Sequence, residues 1–391
     1  MGPRPALAPG STLGVLGGGQ LGRMFLHAAQ RMGYATLVLE PDPASPAGAA
    51  AQGQLCAPYD DARALSEMAT RCAAITTEFE NVPAQALAQL AQARPVAPGA
   101  AAVAVCQDRA AEKACFAAAG VPCAPHAVIE TTQQLAAIDG ALLPGILKTA
   151  RLGYDGKGQV TVLDRTGLEA AWAQLQRVPC VLEKKLVLEI ELSVIVARGG
   201  DGHCVNLPVQ QNLHRQGILA LTTVPAPHVD EALGARAVAE ATRIAAALDY
   251  VGVLCVEFFV IEGGALVANE MAPRPHNSGH YSIDACDLSQ FELQVRTLAG
   301  LPLVAPRLHS PCEMINLLGD LWFDPGRPGA PPREPDWPGV LALPGIHLHL
   351  YGKREARRGR KMGHLTVTAK NAIDARRWAN EAAALLGLVG F

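Results

Sequence analysis

Residues 256–270 read VEFFVIEGGALVANE, two apolar runs rich in β-branched and aromatic side chains on either side of a Gly-Gly pair. The pattern predicts a β-hairpin, and with Gly263 and Gly264 as a two-residue turn Glu262 faces Ala265. The same register sets Glu257 opposite Glu270. Two carboxylates about 5 Å apart on one hairpin face repel each other unless solvent, an arginine or a metal relieves them. Among metals, hard oxygen donors with few other candidates favour magnesium, which takes one or two carboxylates and completes its shell with water and nucleotide phosphates.

Strand-like runs continue outward from the hairpin. Between residues 144 and 269 they arrive in succession (GILKTA, GQVTVL, CVLEKKL, ELSVIVA), with one strong helix over 230–248. Strands in runs predict an α+β arrangement with antiparallel sheets. Lys148 lies in the first run and is followed at once by ARLGYDGKG. The glycines of that loop let backbone amides approach phosphate and let the loop close as a lid, although an ordinary hairpin connection has the same composition. Glu183 and Glu191 are acceptors suited to an amino group or ribose hydroxyls, or else part of a solvated face.

The first hundred residues have a different rhythm. LGVLG, TLVLE and AAITTE alternate with alanine-rich helical stretches such as 83–93, which predicts a parallel, Rossmann-like sheet. In GVLGGGQLGRM (14–24), Gly17, Gly19 and Gly22 lie between a strand at 12–16 and a helix over 23–32, where free helix amides attract anions. Glu40 ends the next strand about 20 residues after the fingerprint opens, the place of a ribose-binding acid in a dinucleotide site. A tight first turn is common to doubly wound sheets, so an NAD-dependent oxidoreductase stays open on this feature alone.

A further helix is expected over 106–119 and an extended surface loop over 324–339. HLHLY and HLTVTA are two strands of a small final domain, joined by the basic segment GKREARRGRK. The predicted division is 1–105, 106–300 and 301–391. It suits a chain of 391 residues at about 150 residues per domain.

A balance of 33 basic against 36 acidic residues, net −3, argues against a surface built for nucleic acid. The ten cysteines form no CxxC pair and read as small buried hydrophobes of a reducing compartment. No apolar run approaches the ~18 residues of a membrane span, so a cytoplasmic enzyme acting on small molecules is expected.

Together, GGGQLGRM, TTEFENVP, GYDGKG, NLHRQGIL, APRPHNSGH and YGK…GRKMGH resemble the 5-(carboxyamino)imidazole ribonucleotide synthetase family of the ATP-grasp superfamily. The likeness covers nearly the whole chain. It implies an ATP-grasp fold of two α+β lobes, preceded by the Rossmann-like domain and followed by a small β-rich one. The implied reaction is ATP-dependent carboxylation of 5-aminoimidazole ribonucleotide with bicarbonate, in purine biosynthesis, by a homodimer using ATP and magnesium.

The resemblance also implies roles for individual residues. Arg109, Lys148, His214 and the loop Gly153, Tyr154, Asp155, Gly156, Lys157, Gly158 and Gln159 would hold the ATP phosphates. Glu183, Lys184, Lys185 and Leu186 would line the adenine, Glu191 the ribose, and Asn269 the nucleotide. Glu257 and Glu270 would carry magnesium. Arg274, His276, Asn277 and Ser278 would surround bicarbonate and its activated form. Lys353 and Arg360, with the turn at Gly19, Gln20 and Leu21, would bind the ribonucleotide phosphate, while Tyr154, Asp155, Glu78 and Asn81 orient its ring and ribose.

Two positions depart from the family pattern. Leu152 stands where a glycine is frequent, which implies a stiffer loop, and Ala272 stands where many ATP-grasp enzymes have an asparagine, which implies a metal shell relying more on water. A formate-using glycinamide ribonucleotide transformylase or a biotin-carboxylase-like ligase would share the nucleotide residues and differ in the acceptor motifs. A non-catalytic nucleotide-binding module would leave the carboxylate pair and the lid without a purpose.

Overall fold

The computed structural model describes residues 5–153, 158–324, 326 and 331–391. Its first sheet is parallel, in the order Gly53–Leu55, Ala35–Leu39, Thr12–Leu16, Ala74–Thr77. Helix Gln20–Arg31 starts three residues earlier than its apolar pattern predicts, with Gly19 at its cap. The helix expected over 106–119 is instead broken: Ala100–Cys106 ends, and Arg109–Ala118 begins afresh. Asp108 makes the break, its carboxylate accepting from the amides of Ala110 and Ala111 as an N-cap.

A second sheet is antiparallel, ordered His126–Ile129, Cys180–Lys184, Gly145–Thr149, Gln159–Val162. The third holds nine strands. From Ala265–Ala272 at one edge it runs through Gly252–Ile261, Leu188–Arg198, Gln210–Arg215, Ile218–Val224, Cys312–Leu318 and Lys361–Thr368 to Ile346–Leu350, with Cys204–Asn206 paired beside Leu188–Arg198. The two strands expected of a separate final domain therefore extend the sheet of the domain before them. Cys312–Leu318 joins Ile218–Val224 through four paired positions, from Leu221 opposite Ile315 to Val224 opposite Cys312.

Apolar faces bind these layers. Helix Glu231–Ala247 buries Ala237, Ala241, Ile244 and Ala245 on the large sheet, with Asp230 as its cap. Helix Gln290–Ala299 lays Phe291, Val295 and Leu298 against Phe25 and Ala29 of the first domain, so both sides of the later site share one core. The loop expected over 324–339 is interrupted by a short helix, Trp337–Leu341, capped by Asp336; residues 325 and 327–330 lie outside the described residues. None of the described helices is long and apolar enough to cross a membrane.

Candidate active site

The hairpin turn is one residue longer than expected: Ile261, and not Glu262, faces Ala265. Gly263 and Gly264 take φ of +87° and +74°, the left-handed region that glycine enters freely. Alone, that change would slide Glu257 off Glu270. A bulge between Glu257 and Phe258 restores it, because Phe258 faces Ala268 and Glu257 then faces Glu270, leaving Asn269 as the extra residue. The two acids end on one face, at the wall of a cavity of about 780 Å³.

Burial pushes both carboxyls up, and the two then separate. Arg109 lies 3.0 Å from Glu270 Oε2 and, with Lys148 and Lys113 nearby, holds that residue below the ordinary value. Glu257 is held well above it by burial and by the Glu270 charge. His276 Nε2 lies 3.5 Å from Glu257 Oε1. The Ser278 amide lies 3.4 Å from His276 Nδ1, which makes that nitrogen the acceptor and puts the ring proton on Nε2. Burial, with Arg274 and Lys361 nearby, keeps the ring neutral. Two oxygen-donor side chains whose charges repel at the wall of a cavity fit a magnesium ion, which would relieve the same repulsion.

The four-stranded sheet supplies Lys148, whose Nζ is 2.7 Å from Glu183 Oε2. Glu183 was expected beside the adenine; instead its carboxylate is held between Lys148 and the fully buried Lys113, 3.0 Å from Oε1. Burial alone would raise its pKa, and the two lysines reverse that, holding it at about 2. Lys184 ends the strand and Lys185 follows it, both exposed, with amides bonded to the Pro125 and Pro144 carbonyls, and Leu186 beyond them is half-buried. Glu191, expected at the ribose, sits with its Oε2 2.6 Å from His214 Nδ1, so these two form a pair of their own. Gly158 takes φ of +71° and its carbonyl accepts from the Thr149 amide. Tyr154, Asp155, Gly156 and Lys157 lie outside the described residues. Leu152 has φ of +61°, so the departure from a glycine there carries backbone strain.

At the other end of the cavity the glycine turn holds carboxylates of its own chain. Glu78 Oε1 accepts from the Gly19 amide at 2.6 Å and Oε2 from the Gly22 amide at 2.8 Å, while Glu40 accepts from Gly18 at 2.8 Å. The glycines make room for these acids: a Cβ on Gly17 would lie 2.2 Å from Glu78 Cγ, and one on Gly18 would lie 2.4 Å from Glu40 Cγ. Gly19 and Glu78, expected at the ribonucleotide, thus bond to each other, and Glu40 is bonded within the turn and to Tyr59. This counts against the dinucleotide reading, since Glu40, the acid it needs for a ribose, is spent inside the turn. The amides of Gln20 and Leu21 have no acceptor among the described residues, and both residues line the cavity.

Opposite them, Lys353, Arg357, Arg358, Arg360 and Lys361 line the same space. Lys353 Nζ donates to the Lys361 carbonyl at 2.6 Å, which closes the basic segment on itself. Asn81, Arg274, His276 and Asn277 complete the wall. Arg274 pairs with Glu80, so its guanidinium is not free for bicarbonate alone. Asn277 differs: both polar atoms of its amide are buried without a partner among the described residues. Ser278, fully buried, places its hydroxyl 2.9 Å from His276 Nδ1.

Sequence reasoning missed Glu80, Glu112 and Lys113. Glu80 repeats Glu78 at a spacing of two, and Glu112 and Lys113 follow Arg109 at spacings of three and four, the separations that share one helix face.

Residues 11–107 match the family model of the ribonucleotide synthetase preATP-grasp domain, 114–291 that of the ATP-grasp domain, and 312–377 that of the phosphoribosylaminoimidazole carboxylase C-terminal domain. The chain is 47% identical over 367 residues to the N5-carboxyaminoimidazole ribonucleotide synthase of Brucella melitensis, covering 93% of this chain and 98% of the relative. It belongs to the N5-carboxyaminoimidazole ribonucleotide synthase family. Two solved structures of that family superpose over 97% of the chain. The Staphylococcus aureus synthetase complexed with ADP has a TM-score of 0.87 at 36% identity, with 98% of its own chain covered. The Aspergillus clavatus synthase in complex with ADP and 5-aminoimidazole ribonucleotide has 0.86 at 31%, with 99% covered. Both carry the synthase fold around a nucleotide, and one carries the ribonucleotide as well.

Proposed function

We propose that this chain carboxylates the exocyclic amine of 5-aminoimidazole ribonucleotide, consuming ATP and bicarbonate and releasing ADP and phosphate. The observation that carries the assignment is one cavity that runs from the carboxylate pair to the basic segment at 353–361 and the first turn of helix Gln20–Arg31. A magnesium-bound polyphosphate at the carboxylate end and a monophosphate at the basic end match those charges.

Arg109, Lys148, His214 and the loop at 153–158 hold the ATP phosphates, and Lys184, Lys185 and Leu186 flank the adenine. Glu257 and Glu270 would hold magnesium, which when bound neutralises charge on the transferring phosphoryl group. A bicarbonate oxygen attacks the γ-phosphorus as the bond to ADP breaks, giving carboxyphosphate. Asn277, with its donor and acceptor unspent, and Arg274 orient the bicarbonate oxygens. The neutral His276 offers an Nε2 proton to the same region without adding charge. The amine nitrogen then bonds to the carboxyl carbon, directly or after CO2 is released, while the C–O bond to phosphate breaks and the amine gives up a proton. Carboxyphosphate hydrolyses in water, so the site has to exclude water while it lasts. Lys353, Arg360 and the amides of Gln20 and Leu21 hold the ribonucleotide phosphate, with Asn81 beside the ribose. The assignment extends to a cytoplasmic homodimer, whose size in solution light scattering measures.

The test is ADP release measured with and without 5-aminoimidazole ribonucleotide, in bicarbonate-depleted and bicarbonate-replete buffer. Turnover is expected only when both are present. ADP release indifferent to the ribonucleotide would overturn the assignment.

A further inference from the structure

Helix Arg109–Ala118 directs three side chains at one short stretch of the hairpin. Arg109 pairs with the Glu270 carboxylate, Glu112 Oε1 accepts from the Met271 amide at 2.6 Å, and Lys113 Nζ donates to the Asn269 carbonyl at 2.6 Å. The last two grip the backbone immediately after and immediately before Glu270. Ala265–Ala272 is the edge strand of its sheet and carries the bulge at Asn269, so backbone groups on its outer side need partners from elsewhere. Glu112 and Lys113 supply them from outside the sheet. Bonded on both flanks, Glu270 has its orientation set by the helix as well as by the neighbouring strand.

Lys113 also reaches the other lobe. Its second partner is Glu183 Oε1 at 3.0 Å, and Glu183 Oε2 is 2.7 Å from Lys148. A continuous path therefore runs from the Asn269 carbonyl through Lys113 and Glu183 to Lys148, between the nine-stranded and four-stranded sheets. A cation buried without any exposure is costly unless fully paired, and this one is paired to both lobes.

We propose that Lys113, assisted by Glu112, is a positioning residue that sets Glu270 relative to Lys148, and so acts on metal-nucleotide binding and phosphoryl transfer while leaving ribonucleotide binding alone. The proposal rests on Glu270 as a metal ligand and Lys148 as a phosphate ligand. Residues supporting a metal ligand from behind typically alter metal affinity or activity by about 10- to 100-fold.

The experiment uses the full chain and Mn2+ as the probe, titrated in the presence of ADP and followed by water-proton relaxation, beside kcat and KM for each substrate. Lys113→Met is expected to weaken Mn2+ binding and lower kcat by roughly 10- to 100-fold, with KM for the ribonucleotide changed by less than about twofold. Glu112→Gln, which keeps an oxygen for the Met271 amide, is expected to lose less than Glu112→Leu, which does not. A folded Lys113→Met that binds Mn2+ as tightly as the unaltered protein overturns the proposal. So does a KM for the ribonucleotide that rises in step with the loss of Mn2+ affinity. If Lys113→Met does not fold, the two Glu112 variants decide, and equal Mn2+ affinities overturn it. Glu270→Gln is the control: undiminished Mn2+ binding there would refute the metal assignment itself.

Discussion

The glycine turn at residues 17–22 and the bulged hairpin at 257–270 solve opposite problems with the same kinds of group. At the turn, backbone amides point out of a helix start, and Glu78 and Glu40 come from neighbouring strand ends to accept from them. At the hairpin, the backbone around Glu270 is satisfied by Glu112 and Lys113, and the two strand carboxylates are left facing the cavity. Carboxylates are consumed in the first place and kept available in the second. Acid content alone therefore does not mark a metal site; what marks it is which acids the backbone has not already claimed.

The contrast breaks most sharply at Glu270. Glu270→Gln keeps the side chain's shape and is expected to lower kcat for ADP release by about a thousandfold or more, with melting temperature nearly unchanged. Turnover within about tenfold of the original would show that the pair is not the metal site. At the opposite end, Lys353→Ala removes a cation from the cavity wall and is expected to raise KM for the ribonucleotide by roughly 10- to 100-fold, with KM for ATP unmoved. An unchanged ribonucleotide KM would detach the basic segment from the phosphate.

Smaller effects sharpen the comparison. Glu78→Gln replaces one acceptor oxygen by a donor facing an amide, and is expected to cost about 1–3 kcal/mol in denaturant unfolding. No loss of stability would mean that the cap contributes nothing to the turn. The smallest effect is in pH. Burial and Glu270 raise the pKa of Glu257, and metal binding needs its ionised form. Protons therefore compete with metal as pH falls through that raised value. The half-saturating magnesium concentration is expected to rise roughly threefold to tenfold from about pH 8 to about pH 6. A flat profile would show that Glu257 binds metal without losing a proton.

Much of this was legible in the sequence, for reasons the structure now separates. The opposition of Glu257 and Glu270 followed from counting across a two-residue turn, yet the turn has three residues and a bulge cancels the error. A bulge is invisible to periodicity, because one inserted residue looks like a change of face. Glu112 and Lys113 were missed although they follow Arg109 on one helix face, because their partners are backbone groups of an edge strand that no side-chain pattern marks. The glycine fingerprint pointed correctly to a strand, a turn and a helix. Its occupants were hidden, since Glu78 lies 59 residues from Gly19 in the chain and no local pattern links them. Glu183 shows the same limit: its adenine role came from position in a motif, whereas two lysines from different elements decide where its carboxylate goes.

The pairing of Cys312–Leu318 with Ile218–Val224 has a consequence for how the protein can be cut and rearranged. A chain ending before residue 312 would expose Ile218–Val224 as a bare edge, with unpaired amides and carbonyls ready to recruit another molecule. The excised C-terminal piece would carry the matching edge. The last eighty residues are therefore an inseparable flank of a single sheet, and a gene fusion or domain exchange has to respect that seam.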